Sequence, residues 1–264
     1  MTLDAPIVTA IGTCRVHNPL SYLDRGGRIR LNHNPMNQFV HSTGEILQRI
    51  GVLKGGRGVP DEIADFVFDE GKKVDKPRFQ FEETEFFVVE VSSLKFIKFL
   101  DHHLQYNRIV EIAKRELGGG FEDWMSALRR DMKDGRGSLI EGAEFSSCSE
   151  LVKMSEVGML DELGLERDLR KILSHLGGGV IFVNHIGIGK IDGKRLFSRD
   201  ALCRMMRNAL ERCEAISFDP TNIVIENGRE KMLLKSGEDI NHYSDFGEEV
   251  IGTKLLELIE GTNN

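Results

Sequence analysis

Several things are missing from this 264-residue chain, and each absence removes a class of function. No apolar run approaches the roughly 18 residues needed to span a bilayer. The opening Met1-Thr2-Leu3-Asp4-Ala5-Pro6 has no basic stretch, and its apolar segment is too short for a secretory leader. The four cysteines, Cys14, Cys148, Cys203 and Cys213, form no CxxC and no paired spacing with histidines, so free thiols in a reduced cytoplasmic setting are expected. No HxH or HExxH spacing supports a metal centre, and no metal is expected. There is no surplus of positive charge either. The 42 acidic residues outnumber 35 basic ones for a net charge of −7, which argues against a nucleic-acid partner. A small anionic ligand held by a few local groups stays compatible with that balance.

A proper core is present in the composition, with 40% hydrophobic and 29% charged residues. Pro6–Ile11 is a short apolar run with β-branched Ile7, Val8, Thr9 and Ile11, the pattern of a strand buried on both faces. Phe86–Val91 and Val180–Asn184 are two more, and Ala215–Phe218 is a shorter fourth. A second short strand is expected over Arg28–Leu31. Ser42-Thr43-Gly44-Glu45 matches a capping box at the start of a helix through Ile46, Leu47 and Ile50. Ser198–Cys213 has the spacing of an amphipathic helix, and Ser244 caps a last helix over 245–260. Pro19 limits helix formation in Val16–Leu23, where a turn or a helix starting near Asn18 is expected.

Between the second and third of the long strands, residues 94–176 read as almost wholly helical, with His102 and His103 solvated on a helix. About 80 residues far exceed the dozen or so of a simple crossover, so this stretch is expected to be a helical insertion or cap. The remainder alternates strand and helix, which implies a parallel sheet in three layers within a single domain over 1–264. Open sheets of this kind bind ligands beyond the carboxyl ends of their strands. Polar residues gather there: Cys14 and Arg15 after the first strand, Asn32–Asn34 after the second, Ser92-Ser93 after the third, and Asn184-His185 after the fourth.

Cys14 follows the break at Gly12 and is a candidate nucleophile, although many cysteines are small core residues. A thiol attacks as thiolate, which an adjacent imidazole generates by taking the proton. A carboxylate commonly orients that imidazole. Asp239-Ile240-Asn241-His242, in an expected loop before the final helix, offers both groups three residues apart. A lone DxxH is common on surfaces; its place in the chain gives it weight. Asn34 or Ser92 could donate to an oxyanion with the Cys14 amide, or act simply as turn and cap residues. Arg15 could lower the Cys14 pKa, bind an anion or form an ion pair. Asn184 and His185 are further candidates for lining the crevice.

A nucleophile directly after the first strand, with Asp-x-x-His before the last helix, resembles the SGNH (GDSL-like) hydrolase superfamily. Gly12-Thr13-Cys14 carries cysteine in the serine position of its Gly-x-Ser block, as in the similar GSCFA family. The likeness includes Asn34-Pro35, the Phe218–Pro220 turn and His242. It extends to capsule-polysaccharide acetyltransferase-like proteins with Gly-Asn-Cys, which bind coenzyme A on this fold. The resemblance implies a flavodoxin-like sheet and ester hydrolysis or acyl transfer on acylated sugars or acyl-coenzyme A. It assigns Cys14 as nucleophile, His242 as base and Asp239 as its orienting group. No cofactor is required under it, coenzyme A being a possible acyl donor. A glycan or small-molecule substrate and a homo-oligomer fit it as partners. The family's Gly-x-Asn-Asp is missing after Phe86–Val91. A binding module for coenzyme A, a nucleotide or a glycan is therefore the alternative on the same fold.

Overall fold

A computed structural model describes residues 5–32, 39–56, 58–68, 83–134, 151, 155–190, 192–193 and 196–262. Five strands form the central sheet: β1 (Ile7–Ile11), β2 (Arg30–Leu31), β3 (Phe86–Glu90), β7 (Gly179–Val183) and β8 (Ile216–Phe218). They lie in the order β2-β1-β3-β7-β8, all parallel. Renumbered along this sheet, that is the 2-1-3-4-5 order of flavodoxin-like folds, which fits the expectation.

The apolar runs form strands because both of their faces are covered. Val8, Ala10, Phe86, Val88, Ile181 and Val183 face one core, closed by α1 (Cys14–Arg25) and α10 (Asp245–Thr262). Ile11, Phe87, Val89, Val180 and Phe182 face the other, closed by α2 (Thr43–Leu53), α6 (Glu162–Leu176) and α7 (Phe197–Arg212). Alternate residues of each strand thus feed opposite layers, giving the three-layer architecture. Each Val or Phe so buried contributes about 1.5–3 kcal/mol.

Helix α1 departs from expectation by starting at Cys14 and running straight through Pro19. A proline inside a helix costs about 3 kcal/mol through its missing N–H and its ring clash. Here Val16, Leu20 and Leu23 are buried on one face and outweigh that cost. Gly252 of α10 lets the two helices approach, since a Cβ there would lie 2.8 Å from the Pro19 carbonyl oxygen. The second strand is also shorter than expected, reduced to Arg30–Leu31.

The stretch 94–176 is not wholly helical. Strands β4 (Lys95–Phe99), β5 (His102–Leu104) and β6 (Glu156–Met159) form a separate antiparallel sheet in the order β5-β4-β6. Leu100 takes a left-handed conformation, φ 53°, in the two-residue turn between β4 and β5. His102 is consequently a buried strand residue rather than a solvated helical one. Helices α3 (Asp61–Val67), α4 (Tyr106–Leu117) and α5 (Phe121–Asp134) complete a third core around Ile97, Leu104, Trp124, Leu128 and Val157. Helix α6 belongs instead to the main sheet, through Leu165, Leu169 and Ile172. Short helices α8 (Thr221–Asn227) and α9 (Arg229–Met232) lead to the antiparallel pair β9 (Leu233–Leu234) and β10 (Asp239–Tyr243).

Candidate functional site

The carboxyl end of β1 sets the position of Cys14. A Cβ on Gly12 would stand 2.7 Å from the Glu90 Cβ, so glycine allows the chain to pass the end of β3. Thr13 then caps α1, its Oγ1 accepting from the Arg15 amide at 3.4 Å. Cys14 becomes the first residue of the helix, partly buried, where backbone N–H groups favour negative charge. Burial nevertheless pushes its thiol above the ordinary cysteine value; Arg15 lowers it and Glu90 raises it. In this arrangement the sulfur holds its proton, and it needs a base to become nucleophilic.

Beneath the thiol lies a buried ionic cluster. Glu90, the last residue of β3, is fully shielded from solvent. Its carboxylate accepts from the Thr13 amide at 3.1 Å and from the Thr13 hydroxyl. Arg15 donates to it through Nε at 2.6 Å, with Nη2 also 2.6 Å from the same oxygen. Arg15 Nη1 lies 2.5 Å from Nε2 of His185, and His185 Nδ1 faces the Ile186 carbonyl at 3.3 Å. A guanidinium can only donate, so His185 accepts at Nε2 and is neutral. Burial first, and the Arg15 charge next, push its pKa down to about 2. The ends of β1, β3 and β7 are thereby tied together through Arg15, Glu90 and His185.

Ser92 bonds His41, 2.9 Å from its Nδ1, while Asn107 Nδ2 donates to His41 Nε2 at 2.9 Å. Burial pushes the His41 pKa down. Asn184 is also buried, and its Oδ1 has no hydrogen-bond partner among the described residues.

The second half of the site stands on β10, a strand paired with β9 where a loop was expected, and β10 packs against α1. Its register shifts between Asp239 and Tyr243, and residues three apart thereby meet. Asp239 Oδ2 accepts from His242 Nδ1 at 2.9 Å, and Oδ1 accepts from the Asn241 amide at 3.0 Å. Partial burial raises the Asp239 carboxyl, but the Asn241 amide, His242 and Lys235 outweigh it and hold it below its usual value. The His242 side chain is 49% exposed. Its ring is held by Asp239 through Nδ1, which leaves Nε2 as the ring nitrogen outside that pair. Among the described residues no hydrogen bond joins Cys14 to His242.

Tyr243, next to His242, turns inward with its hydroxyl buried and without a partner among the described residues. Burial raises its pKa strongly, and the charges acting on it include Arg15, Glu90 and Cys14. Strand β10 thus reaches the thiol's surroundings. Glu90, Tyr243 and Arg199 are the site residues that sequence reasoning missed. A charge inside an apolar strand was the one available signal for Glu90.

Two cavities open at this edge. One of about 200 Å³ is lined by Ser92, Ser93, Lys95, His185, Ser198 and Arg199 among others. A neighbouring one of about 400 Å³ is lined by Asp239 and Asn241, with Lys190, Arg199 and Lys235. A third, of about 500 Å³, lies apart between α2, α6 and the small sheet, beside Gly44, Gln48 and His103. Of the expected site residues, Arg15 and His185 are brought together under Cys14. Asp239 and His242 form a pair on β10. Asn34 lies outside the described residues, as do His33 and Cys148.

These features define a flavodoxin-like three-layer α/β protein. Two polar cavities lie at the carboxyl edge of the sheet, one lined by His185 and the other by Asp239, and neither Cys14 nor His242 is among their described lining residues. The chain belongs to the TviD N-terminal domain family, whose model matches residues 6–258. It is 25% identical over 274 residues to the Vi polysaccharide biosynthesis protein TviD of Salmonella typhi. That match covers 97% of this chain but 32% of the relative, so the chain spans about a third of that protein. Among solved structures it is similar to a lipase/acylhydrolase from Enterococcus faecalis, with TM-score 0.43, 10% identity and coverage of 97% and 96% of the two chains. A putative arylesterase from Agrobacterium tumefaciens aligns with TM-score 0.34, 9% identity and coverage of 97% and 99%.

Proposed function

We propose that this chain is an acyl-transfer enzyme acting on an acylated glycan, as an esterase or an O-acyltransferase, with Cys14 as nucleophile. The observation that carries this reading is the 2.9 Å Asp239–His242 hydrogen bond on a strand packed against α1, the helix that Cys14 opens. His242 Nε2 takes the Cys14 proton and the sulfur attacks the acyl carbonyl carbon. The bond to the leaving alcohol or thiol breaks as His242 returns the proton, leaving a thioester on Cys14. Water resolves that thioester in hydrolysis, and a sugar hydroxyl does so in transfer. Acyl-coenzyme A suits the donor role in the second case. Hydrogen bonds between catalytic groups often tighten only in the substrate complex, so the two side chains close on each other when the crevice is filled. The polysaccharide-biosynthesis name of the Salmonella typhi relative supports a glycan substrate. The GSCFA likeness supports cysteine in the serine position.

One observation favours a second reading, a binding module without covalent chemistry: burial keeps the Cys14 thiol protonated, and no hydrogen bond to His242 offsets it. The deciding experiment measures acyl release from p-nitrophenyl acetate and acetyl-coenzyme A by the wild type and by Cys14→Ala. Turnover that disappears in the variant, with iodoacetamide reacting faster at Cys14 than at Cys203 or Cys213, supports the enzyme. Turnover equal in both proteins, or no turnover in either, leaves the binding module.

A further inference from the structure

The cavity of about 200 Å³ at the ends of β3 and β7 carries charge of one sign. Arg199 and Lys95 line it together with Ser92, Ser93 and Ser198, and no carboxylate is among its described lining residues. Arg199 is a half-buried cation held by neutral groups. Its Nη1 donates to the Ile240 carbonyl at 3.3 Å and its Nη2 to Asn241 Oδ1 at 2.6 Å. Among the described residues it has no ion-pair partner. A guanidinium has five N–H donors, so further donors remain for a ligand. Lys95 likewise has no carboxylate partner; its ammonium lies 4.6 Å from the centre of the Tyr106 ring.

The surroundings deepen this imbalance. Arg15, a buried cation, is already matched by Glu90 and offers Arg199 repulsion. Burial and that repulsion push the Arg199 pKa down to about 10, opposed by Cys203, the adjacent Asp200 and Glu90. A charge withdrawn from water without a counter-charge is costly, and a bound anion relieves the cost. Arg199 also lines the 400 Å³ cavity that contains Asp239, together with Lys190, Lys235 and the opposing Glu238. It therefore stands between the crevice beside His185 and the catalytic pair.

We propose that Arg199, with Lys95 and Ser198, forms an anion subsite that holds a carboxylate or phosphate group of the substrate beside the Asp239–His242 pair. The role of that anion as part of a substrate rests on the acyl-transfer reading; the binding of the anion does not. The carboxylate of an acidic sugar and the phosphates of a nucleotide-type acyl donor are the two sources of this chemistry.

The test is calorimetric binding to the full chain, as wild type, Cys14→Ala, Arg199→Gln and Lys95→Gln. The probes are a glucuronate trisaccharide, its methyl ester and desulfo-coenzyme A. At least one anionic probe is expected to bind, displaced by inorganic pyrophosphate and weakened by salt. Losing a charge-assisted hydrogen bond lowers affinity by about tenfold or more, the loss expected for Arg199→Gln, with a smaller one for Lys95→Gln. Preference for the trisaccharide over its ester places the anion on the glycan; preference for desulfo-coenzyme A places it on the donor. Binding by Cys14→Ala equal to wild type supports a subsite independent of the thiol. The proposal is overturned if neither anionic probe binds, or if both variants bind as the wild type does. Lys95→Gln and the salt dependence of the wild type keep the test valid should Arg199→Gln fold poorly. Full acyl turnover by Cys14→Ala would remove the acyl-transfer reading and leave anion binding to be judged by these titrations alone.

Discussion

The two halves of the site lie at one sheet edge in opposite physical settings. Thr13, Arg15, Glu90 and His185 are buried and joined by short charged hydrogen bonds, while Asp239 and His242 share a single bond on a half-exposed strand. Buried ionic groups hold geometry because any displacement leaves a charge unpaired in a poorly polarisable interior. A half-exposed imidazole loses less when it moves, because water can replace its partner. The first half is thus a rigid frame around the start of α1, and under the acyl-transfer proposal the second would supply the proton acceptor. Burial keeps the thiol protonated at rest, with Arg15 of the frame opposing that effect and Glu90 adding to it.

Changes to each half separate these roles. His242→Ala is expected to lower turnover by about 10²–10⁴-fold, the usual contribution of a general base, with the melting temperature little changed. A drop in melting temperature as large as that of a core mutant would make His242 part of the frame instead. Glu90→Gln should cost about 3–5 kcal/mol by leaving Arg15 buried and unpaired, read as a large loss in thermal or urea unfolding. The same substitution removes a charge that raises the Cys14 pKa, so the folded fraction should react with iodoacetamide faster than wild type. Slower alkylation would mean that Glu90 acts on the thiol only through geometry.

The pH dependence of stability tests the frame alone. His185 has a folded pKa of about 2, far below the unfolded value near 6.5, so the unfolded state binds the extra proton. Its contribution is complete above the unfolded value and is lost as pH falls, by about 1.4 kcal/mol per unit below pH 6.5. His185→Asn should flatten that part of the acid-unfolding curve, and an unchanged slope would assign the decline to other groups. The smallest effect is expected at Tyr243→Phe. Its hydroxyl is buried without a partner among the described residues, so its removal should leave stability within about 0.5 kcal/mol or raise it slightly. A loss above 2 kcal/mol in chemical denaturation would reveal a partner for that hydroxyl.

The parts legible in the sequence were those with a local cause. Strands β1, β3 and β7 are continuous apolar runs because both faces are covered, and such runs are visible in any single sequence. The capping box at Ser42–Glu45 is a four-residue device: the Ser42 hydroxyl accepts from the Glu45 amide, and the Glu45 carboxylate reaches back to the His41 amide, one residue before the cap. The hairpin of β4 and β5 was hidden because its turn, Leu100-Asp101, has no glycine or asparagine, and short apolar runs fit either period. Helix α1 was obscured by Pro19, whose local penalty is offset only by partners far along the chain.

Of the candidate site, Cys14, Asp239 and His242 could be singled out because each belongs to a short motif beside an expected strand or helix. Their surroundings could not be read in that way. Glu90, Arg15 and His185 meet because three parallel strands align their ends, bringing together residues 75 and 170 positions apart. Arg199 reaches β10 across 41 residues.

Local chemistry along the chain was enough to outline the long strands of the central sheet and the caps, and to nominate Cys14. Hydrophobic periodicity and hydrogen-bonding side chains act over a few residues. Which charges are buried, which are paired and which await a counter-ion was decided by tertiary structure alone. Burial and Coulomb interaction depend on distance in space, and distance in sequence carries no measure of either.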